Sequence, residues 1–376
     1  MTPPGTEQLQ RALDTVIDPE LRRPITELGM VDAVSIDDDG AVRLRVLLTI
    51  QGCPLRDTIT ADATAALLTV PGVTSVDVEL SVMTPEQRQA LKDQLRGPGD
   101  TRGIPFNQPG NFTKVFAVTS GKGGVGKSSV TVNLACALAA RGLRVGIVDA
   151  DVHGFSVPGL MGITQSPTRV DELILPPVAH GIKVISIGMF VEGNAPVAWR
   201  GPMLHRALEQ FLSEVYFGDL DYLFLDLPPG TGDIAISVSQ LLPSAEVLVV
   251  TTPQSAAAEV AERSGTVSTQ TGQRVVGVVE NMSYLDTLGG ERLEVFGSGG
   301  GETLSQRLTG ALGYQVPLLG QLPLEIALRE GGDSGMPVVL AHPDAAVSRA
   351  LLSVADALAA KPRGLSGLSL GVTPRG

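Results

Sequence analysis

The chain has 376 residues, 43% of them hydrophobic and 18% charged. A chain of this composition can bury a sizeable core, so wholesale disorder is excluded, and its length allows two or three domains. With 28 Lys and Arg against 40 Asp and Glu, the net charge is −12, which argues against a non-specific nucleic-acid binder because phosphates attract cations. The two cysteines are too few for a disulfide framework, and we see neither a secretory signal nor an apolar run that could span a bilayer. We therefore expect a soluble, cytoplasmic protein without nucleic-acid or membrane partners.

Residues 1–84 are predicted to form a small α+β domain. Apolar residues first recur at helical spacing and then alternate as in strands. The turn from Asp37 to Gly40 between the first two strands is typical of a hairpin. The predicted elements, in chain order, are a helix through Leu9 and Leu13, strands over 31–36 and 42–50, a helix over 55–68 and a strand over 73–82.

A linker is predicted over residues 85–111, since residues 97–111 are rich in Gly, Pro, Asn and Asp, while residues 85–96 are compatible with a helix. Residues 112–362 are predicted to form the second domain, and residues 363–376 a flexible tail. Strands without a polar face are typical of a mainly parallel sheet with helices on both faces, so we predict an α/β fold. The apolar runs that predict these strands are residues 115–118, 145–148, 184–187, 222–225, 247–250 and 275–279.

A glycine-rich loop, residues 121–128 (GKGGVGKS), matches the phosphate-binding pattern G-x-x-x-x-G-K-[ST]. It follows a predicted strand and precedes a helical pattern, which is the context that this pattern requires. Glycines let backbone N–H groups converge on phosphate oxygens, and the helix N-terminus adds a partial positive charge. The Lys127 side chain is expected at the β- and γ-phosphates, and the Ser128 hydroxyl is expected to bind Mg²⁺. We therefore predict a P-loop NTPase whose nucleotide-binding residues are Gly121, Lys122, Gly123, Gly124, Val125, Gly126, Lys127, Ser128 and Ser129.

Acidic residues follow two further predicted strands. Asp226 ends one of them and is expected to bind Mg²⁺, and the Pro-Pro-Gly that comes soon after it indicates a mobile loop that senses the γ-phosphate. Asp149 and Asp151 follow the other strand, and one of them is expected to orient the attacking water. The spacing leaves open which of the two does so. Our predicted catalytic set is Lys122, Lys127 and Asp151, in which Lys122 supplies a second cation that stabilises transition-state charge.

With these motifs the chain resembles the deviant Walker A ATPases of the MinD/ArsA/nitrogenase-iron-protein class. In that class the early lysine, here Lys122, reaches across a dimer interface to the partner's nucleotide. The chain bears a closer resemblance to the Mrp/ApbC iron–sulfur carrier ATPases, through residues 149–158, 226–233 and 280–283. The resemblance implies a Mg²⁺-dependent ATPase that works as a homodimer, with Asn281 at the adenine, and that transfers iron–sulfur clusters to apoproteins.

The N-terminal segment is similar to the small SufT/PaaD-like domain that often precedes this ATPase. The likeness rests on four short stretches, which are Asp18-Pro19-Glu20, residues 27–30, Gly52-Cys53-Pro54 and residues 71–73. Such domains are linked to iron–sulfur protein maturation, so the resemblance implies apoprotein clients or assembly factors as partners.

The cysteines depart from the carrier family's pattern. The family places a Cys-x-x-Cys shortly after Asn-Met-Ser, where two subunits share a [4Fe–4S] cluster, but residues 283–301 here contain no cysteine. Cys136 falls among apolar residues of the P-loop helix and is expected in the core. Cys53 is thus the candidate iron–sulfur ligand, because a nearby helix N-terminus would favour its thiolate, but a packed thiol is the equal alternative. His153, in the first switch segment, is expected to make a structural contact.

Three functions are therefore open. The first is an ATP-hydrolysing carrier that binds iron–sulfur clusters and transfers them to apoproteins. The second is a cluster-free switch or adaptor, in which ATP drives dimerisation during iron–sulfur protein maturation. The third is a positioning ATPase of the MinD/ParA type, which the acidic charge disfavours, as does a tail over 363–376 that is too rich in Gly and Pro for a membrane-binding helix.

Overall fold

The chain folds into two compact units, each described here by itself. The first contains residues 1–101, 165–177 and 214–218, and the second contains residues 102–164, 178–213 and 219–376. The computed structural model describes residues 4–50, 55–96, 103–152, 154–190, 201–230, 232–254, 261–262, 272–287 and 289–360. No helix within these ranges is long and apolar enough to cross a membrane.

The first unit opens with the predicted order of helix, strand, strand, helix and strand, followed by a third helix. The elements are α1 (Thr6–Leu13), β1 (Val31–Ile36), β2 (Ala41–Leu48), α2 (Arg56–Leu68), β3 (Ser75–Val82) and α3 (Pro85–Arg96). The sheet order is β1-β2-β3, with β1 antiparallel and β3 parallel to β2. The predicted hairpin turn is present, because the Asp37 side chain accepts hydrogen bonds from the N–H groups of Asp39 and Ala41. Gly40 in this turn has a φ of +82°, a conformation that favours glycine.

The second unit contains a large, mainly parallel sheet, as predicted. Its first elements are β4 (Lys114–Ser120), α4 (Lys127–Ala139), β5 (Val145–Asp149) and α5 (Val157–Leu160), and the chain then forms β6 (Thr168–Val170), β7 (Leu173–Leu175), β8 (Val178–Ala179) and β9 (Ile182–Ser186). After these come α6 (Gly201–Glu214), β10 (Tyr222–Asp226), α7 (Asp233–Leu241), β11 (Glu246–Thr251) and β12 (Val275–Glu280). The last are β13 (Leu285–Asp286), β14 (Arg292–Leu293), α8 (Gly300–Leu312), β15 (Leu318–Gln321), α9 (Ile326–Ser334), α10 (Val338–Ala341) and α11 (Ala346–Ala360).

The eight strands of this sheet lie in the order β15-β12-β11-β4-β10-β5-β9-β8. All neighbours are parallel except β8 and β9. The six predicted strands are β4, β5, β9, β10, β11 and β12, and nearly every residue in them is buried. Parallel pairing brings the carboxyl ends of β4, β5 and β10 to one edge of the sheet, where α/β folds bind ligands.

The hairpin of β6 and β7 belongs to the first unit although it lies in the middle of the sequence. Its apolar residues Val170, Leu173 and Leu175 are buried in the same core cluster as α1 and α2. Helix α3 contacts the hairpin through ion pairs from Arg88 to Asp171 and from Lys92 to Glu172, with N–O distances of 3.7 and 3.5 Å. The first unit therefore extends beyond the predicted boundary at residue 84 and includes part of the range predicted for the second domain. The tail predicted over 363–376 lies outside the described residues.

Candidate nucleotide site

The loop between β4 and α4 has the backbone of a phosphate-binding loop. Residues 121–126 leave the buried end of β4, and α4 begins at Lys127. Gly124 and Gly126 have φ angles of +77° and +80°, which side chains other than glycine rarely adopt. A Cβ atom on Gly126 would also overlap the side-chain amide of Asn281. The glycines thus allow the tight turn into α4 and the close approach of Asn281.

The loop borders a cavity of about 450 Å³ at the carboxyl edge of the sheet. This volume lies within the usual range for small-molecule sites. The lining residues are Ser120, Lys122, Gly123, Gly124, Val125, Gly126, Lys127, Ser128, Ser129, Asp151, Gly154, Ser156, Leu160 and Pro229. The structure therefore brings together Asp151 and eight of the nine predicted loop residues, all except the buried Gly121.

Lys127, Ser128 and Asp226 form a polar cluster at this cavity, in which Lys127 and Asp226 are buried and Ser128 is half-buried. The Lys127 Nζ atom lies 2.7 Å from an Asp226 carboxylate oxygen, and the Ser128 hydroxyl donates a hydrogen bond of 2.6 Å to the same oxygen. The Thr131 hydroxyl donates to the other Asp226 oxygen at 2.9 Å. Sequence reasoning missed Thr131, although it lies one helical turn after Lys127 and therefore faces the same side of α4.

The donor set of this cluster fits Mg²⁺. Mg²⁺ prefers oxygen ligands and usually takes one or two from the protein, with water and phosphate oxygens completing its shell. Ser128 and Asp226 supply one hydroxyl and one carboxylate oxygen, already within hydrogen-bond distance of each other. Among the described residues, no group of three or more His, Cys, Asp and Glu could hold a metal ion by itself.

The two acids after β5 have different environments. Asp149 is fully buried and accepts hydrogen bonds from the Asp151 N–H, the Val157 N–H and the Ser186 hydroxyl, at 3.2, 3.3 and 3.0 Å. Burial, and then the negative charge of Asp226, raise the pKa of Asp149 to about 7. Asp151 instead lines the cavity, and its carboxylate accepts a hydrogen bond of 3.1 Å from the Gly154 N–H. Asp149 therefore holds the segment that presents Asp151 to the cavity.

Asn281 follows β12 and has one unsatisfied polar atom. Its amide nitrogen donates a hydrogen bond of 2.9 Å to the Val125 carbonyl in the phosphate-binding loop. Its side-chain oxygen is buried and accepts no hydrogen bond within the described part of the chain. A buried acceptor without a donor is costly in a folded protein. Asn281 does not line the phosphate cavity, so its expected contact with adenine stays a prediction.

The second loop lysine has a different partner. Lys122 Nζ donates a hydrogen bond of 2.5 Å to the side-chain oxygen of Gln254, which follows β11. The side chains of the two lysines therefore have different partners, because Lys127 contacts the Asp226 carboxylate while Lys122 contacts an uncharged amide.

The predicted cluster residues are only partly described. Cys136 is fully buried on α4, and burial raises the pKa of its thiol to about 12, so it is a core residue, as predicted. Cys53 and His153 lie outside the described residues.

The segment without cysteines forms a small hairpin of β13 and β14. Arg292 closes it, through an ion pair of 3.2 Å with Asp286 and a guanidinium group 4.0 Å from the centre of the Tyr284 ring.

The sheet order, the strand–loop–helix turn and the cluster of Lys127, Ser128 and Asp226 define a P-loop nucleoside triphosphatase. Residues 111–359 match the family described as "NUBPL iron-transfer P-loop NTPase", and the chain belongs to that family. Residues 6–79 match a second family, described as "Iron-sulfur cluster assembly protein".

The similarity to known relatives extends over nearly the whole chain. The chain is 59% identical over 366 residues to an iron-sulfur cluster carrier protein of Mycobacterium tuberculosis, covering 97% of this chain and 96% of the relative. It is 37% identical over 348 residues to a protein of the same name from Escherichia coli, covering 91% and 88%. Among solved structures, a nucleotide-binding protein from Archaeoglobus fulgidus in complex with ADP matches with a TM-score of 0.52 and 35% identity, covering 62% of this chain and 89% of that one.

Proposed function

We propose that this chain is a Mg²⁺-dependent ATPase that carries iron–sulfur clusters to client apoproteins. The observation that carries the ATPase part is the polar cluster of Lys127, Ser128 and Asp226 at the glycine loop. A lysine, a hydroxyl and a carboxylate in these positions are the groups with which P-loop enzymes hold a nucleotide and its metal. The family membership and the names of the relatives support the carrier part.

The residues of the site have separable roles in the proposed reaction. Lys127 neutralises charge on the β- and γ-phosphates, and the backbone N–H groups of the loop bind phosphate oxygens. Ser128 and Asp226 hold Mg²⁺, which supplies positive charge against the phosphates when it is bound. Asp151, which faces the cavity, orients the attacking water, while the buried Asp149 maintains the position of the Asp151 segment.

Asn281 selects the base in this proposal. Its unsatisfied oxygen accepts a hydrogen bond from an exocyclic amino group, which adenine carries where guanine carries a carbonyl. We therefore infer that the chain prefers ATP over GTP.

The ATPase proposal is tested by phosphate release from purified protein with ATP and Mg²⁺. Lys127→Ala should reduce turnover by at least about a hundredfold, because it removes charge stabilisation that only the transition state needs in full. Lys92→Ala, which removes a lysine of α3, is the matched control and should retain turnover. Rapid hydrolysis of another nucleotide with none of ATP would refute the assignment.

The protein is also proposed to act as a homodimer, in which Lys122 contacts the nucleotide of the second subunit. Lys122 lines the chain's own phosphate cavity, but the hydrogen bond of its Nζ atom to Gln254, which does not line that cavity, supports this proposal. We further propose the cytoplasm as its location, on the basis of a cysteine content typical of reducing compartments.

For the cargo, we propose Cys53 as an iron–sulfur ligand, because it is one of only two cysteines and the other is a buried core residue. Iron–sulfur clusters are held by thiolates, and the raised pKa of Cys136 keeps its thiol protonated. Two copies of the chain supply two Cys53 thiolates, so other ligands come from the client or from a small thiol.

A cluster-free, ATP-driven adaptor in iron–sulfur protein maturation is the second candidate. The observation that favours it is the hairpin of β13 and β14, which contains no cysteine and is closed by Arg292.

Anaerobic reconstitution with iron and sulfide separates the two candidates. A carrier should bind a stoichiometric cluster that Cys53→Ala abolishes and Cys136→Ala retains, as measured by iron and sulfide content and visible absorption. If neither the wild type nor either cysteine variant binds a cluster, the result favours the adaptor.

A further inference from the structure

The two lysines of the phosphate-binding loop are held by different parts of the second unit. Lys127 Nζ lies 2.7 Å from Asp226, while Lys122 Nζ lies 2.5 Å from the side-chain oxygen of Gln254. Gln254 does not line the phosphate cavity but a second cavity of about 460 Å³, together with residues 296–300. Lys122 itself lines the phosphate cavity, but its ammonium group is hydrogen-bonded to a residue that does not line it.

This arrangement follows from the register of the sheet. Strands β4 and β11 are parallel neighbours, and Ser120 is the register partner of Val250. The loops that carry Lys122 and Gln254 therefore leave the same edge of the sheet side by side. The Lys122 backbone is also fixed, since its carbonyl accepts a hydrogen bond of 3.0 Å from the Ser120 hydroxyl. Only the flexible side chain of Lys122 has to move for the ammonium group to leave Gln254.

We propose that Gln254 is a positioning residue for Lys122. Its side-chain oxygen holds the ammonium group at the border of the chain's own phosphate cavity until a second copy of the chain presents its bound nucleotide. An uncharged amide suits this role, because it binds a cation more weakly than a carboxylate does and therefore releases it more readily. This inference rests on the proposed function of the chain as an ATP-dependent dimer.

Two substitutions at Gln254 should have opposite effects on dimerisation. Gln254→Leu removes the acceptor at similar size and should tighten the ATP-dependent dimer, while Gln254→Glu forms an ion pair with Lys122 and should weaken it. A partly exposed pair of this kind changes an equilibrium by about threefold. Each dimer releases two lysines, so the dimer dissociation constant should change by about tenfold in each direction. Turnover at saturating protein concentration should change by less than about twofold, since Gln254 does not line the phosphate cavity.

The experiment measures ATP turnover per chain over a wide range of protein concentration, together with sedimentation of the full chain in a non-hydrolysable ATP analogue. Gln89→Leu, at an exposed glutamine of α3, is the matched control and should behave as wild type. The effect of Gln254→Glu should disappear in a Lys122→Ala background, because the charge at position 254 then has no lysine to hold.

If ATP turnover per chain depends on protein concentration in the same way in the wild type and both Gln254 variants, the proposed role of Gln254 is wrong. The ATPase proposal would still stand. The role of Gln254 would also be overturned if the dimer dissociation constant changed in the same direction in both variants. The same holds if the effect of Gln254→Glu persisted in the Lys122→Ala background. A wild-type chain that neither turns over ATP nor dimerises with the analogue would refute the proposed function as well.

Discussion

Asp149 and Asp151 illustrate how two acids that are two residues apart acquire different roles. Asp149 has its carboxylate oxygens engaged by two backbone N–H groups and the Ser186 hydroxyl, whereas Asp151 lines the phosphate cavity. The sequence could not separate them, because both acids follow the same strand and only the direction of the chain after Asp149 decides which one faces the cavity.

The raised pKa of Asp149 predicts a pH-dependent stability. Burial and the charge of Asp226 raise this pKa to about 7, while an aspartate in an unfolded chain titrates near pH 4. Between these values the folded state keeps a proton that the unfolded chain has lost. The free energy of unfolding should therefore fall as the pH rises from about 4 to about 7, by up to about 1.4 kcal/mol per pH unit from this group, and should level off above pH 7.

Asp149→Asn removes this titration and keeps one oxygen acceptor. We expect the difference in unfolding free energy between wild type and variant to change over this pH range and to be constant above it. Urea unfolding without nucleotide and with a chelator of Mg²⁺ measures the difference. Parallel pH profiles for the two proteins would contradict the assignment.

At the scale of elements, the phosphate-binding loop depends on glycine for two separate reasons. Gly124 and Gly126 both have a positive φ, but an added Cβ atom would meet nothing within 4 Å at Gly124 and would overlap the Asn281 amide at Gly126. The hydrogen bond from Asn281 to the Val125 carbonyl lies directly beside this contact. Gly126 therefore couples the loop to the residue proposed to bind the base.

Gly126→Ala should weaken ATP binding more than Gly124→Ala does. Both substitutions incur a backbone penalty of about 1 kcal/mol, but only Gly126→Ala also displaces Asn281. We expect a loss of ATP affinity at least about tenfold larger for Gly126→Ala. Calorimetric titration with ATP measures both affinities, and equal losses would mean that the contact with Asn281 has no importance for binding.

The central strands and the loop were predictable because each carries a strong local signal. Six apolar runs marked the buried strands, and the glycine pattern marked the turn into α4. Strands β8 and β15 were not predicted. Strand β8 has only two residues, and the residues of both strands are partly exposed, so neither strand appears as a buried apolar run. The predicted strand over 184–187 occupies 182–186 instead, because Ile187 begins a short 3₁₀ turn.

Contacts between distant residues were the part that the sequence did not reveal. The motif predicted Lys127, Ser128 and Asp226 as site residues, but nothing local indicated that Lys122 pairs with Gln254. Helical spacing places Thr131 on the side of Lys127, but it does not identify Asp226 as the partner of Thr131. Such pairs depend on strand order, and strand order is set by the packing of the whole sheet.

At the scale of the whole molecule, the first unit is discontinuous in sequence. Residues 165–177 and 214–218 complete it, joined by a bridge between Ile174 and Val215. The Thr168 hydroxyl also donates a hydrogen bond of 3.0 Å to the buried Glu20 carboxylate. In the sequence, the inserted range begins at residue 165, after α5, which in turn follows the segment that carries Asp151. Composition along the sequence cannot detect such an insertion, because the hairpin has the same apolar character as the strands around it.

This discontinuity predicts that the N-terminal segment is not stable by itself. A fragment of residues 1–101 lacks Val170, Leu173 and Leu175, each at most 3% exposed in the core of the first unit. In the full chain, Leu173→Ala should lower the unfolding free energy of this unit by about 2–4 kcal/mol, since it leaves a cavity among α1, α2 and the sheet.

Hydrogen exchange of the backbone amides of β2 and α2 measures the stability of the first unit within the full chain. These amides should exchange faster in Leu173→Ala than in the control Leu293→Ala, whose side chain is 47% exposed in the hairpin of the second unit. The isolated fragment should exchange faster still, because it lacks all three apolar side chains. If the amides of β2 and α2 exchanged as slowly in the fragment as in the full chain, residues 165–177 would only cover the first unit and would not complete its core.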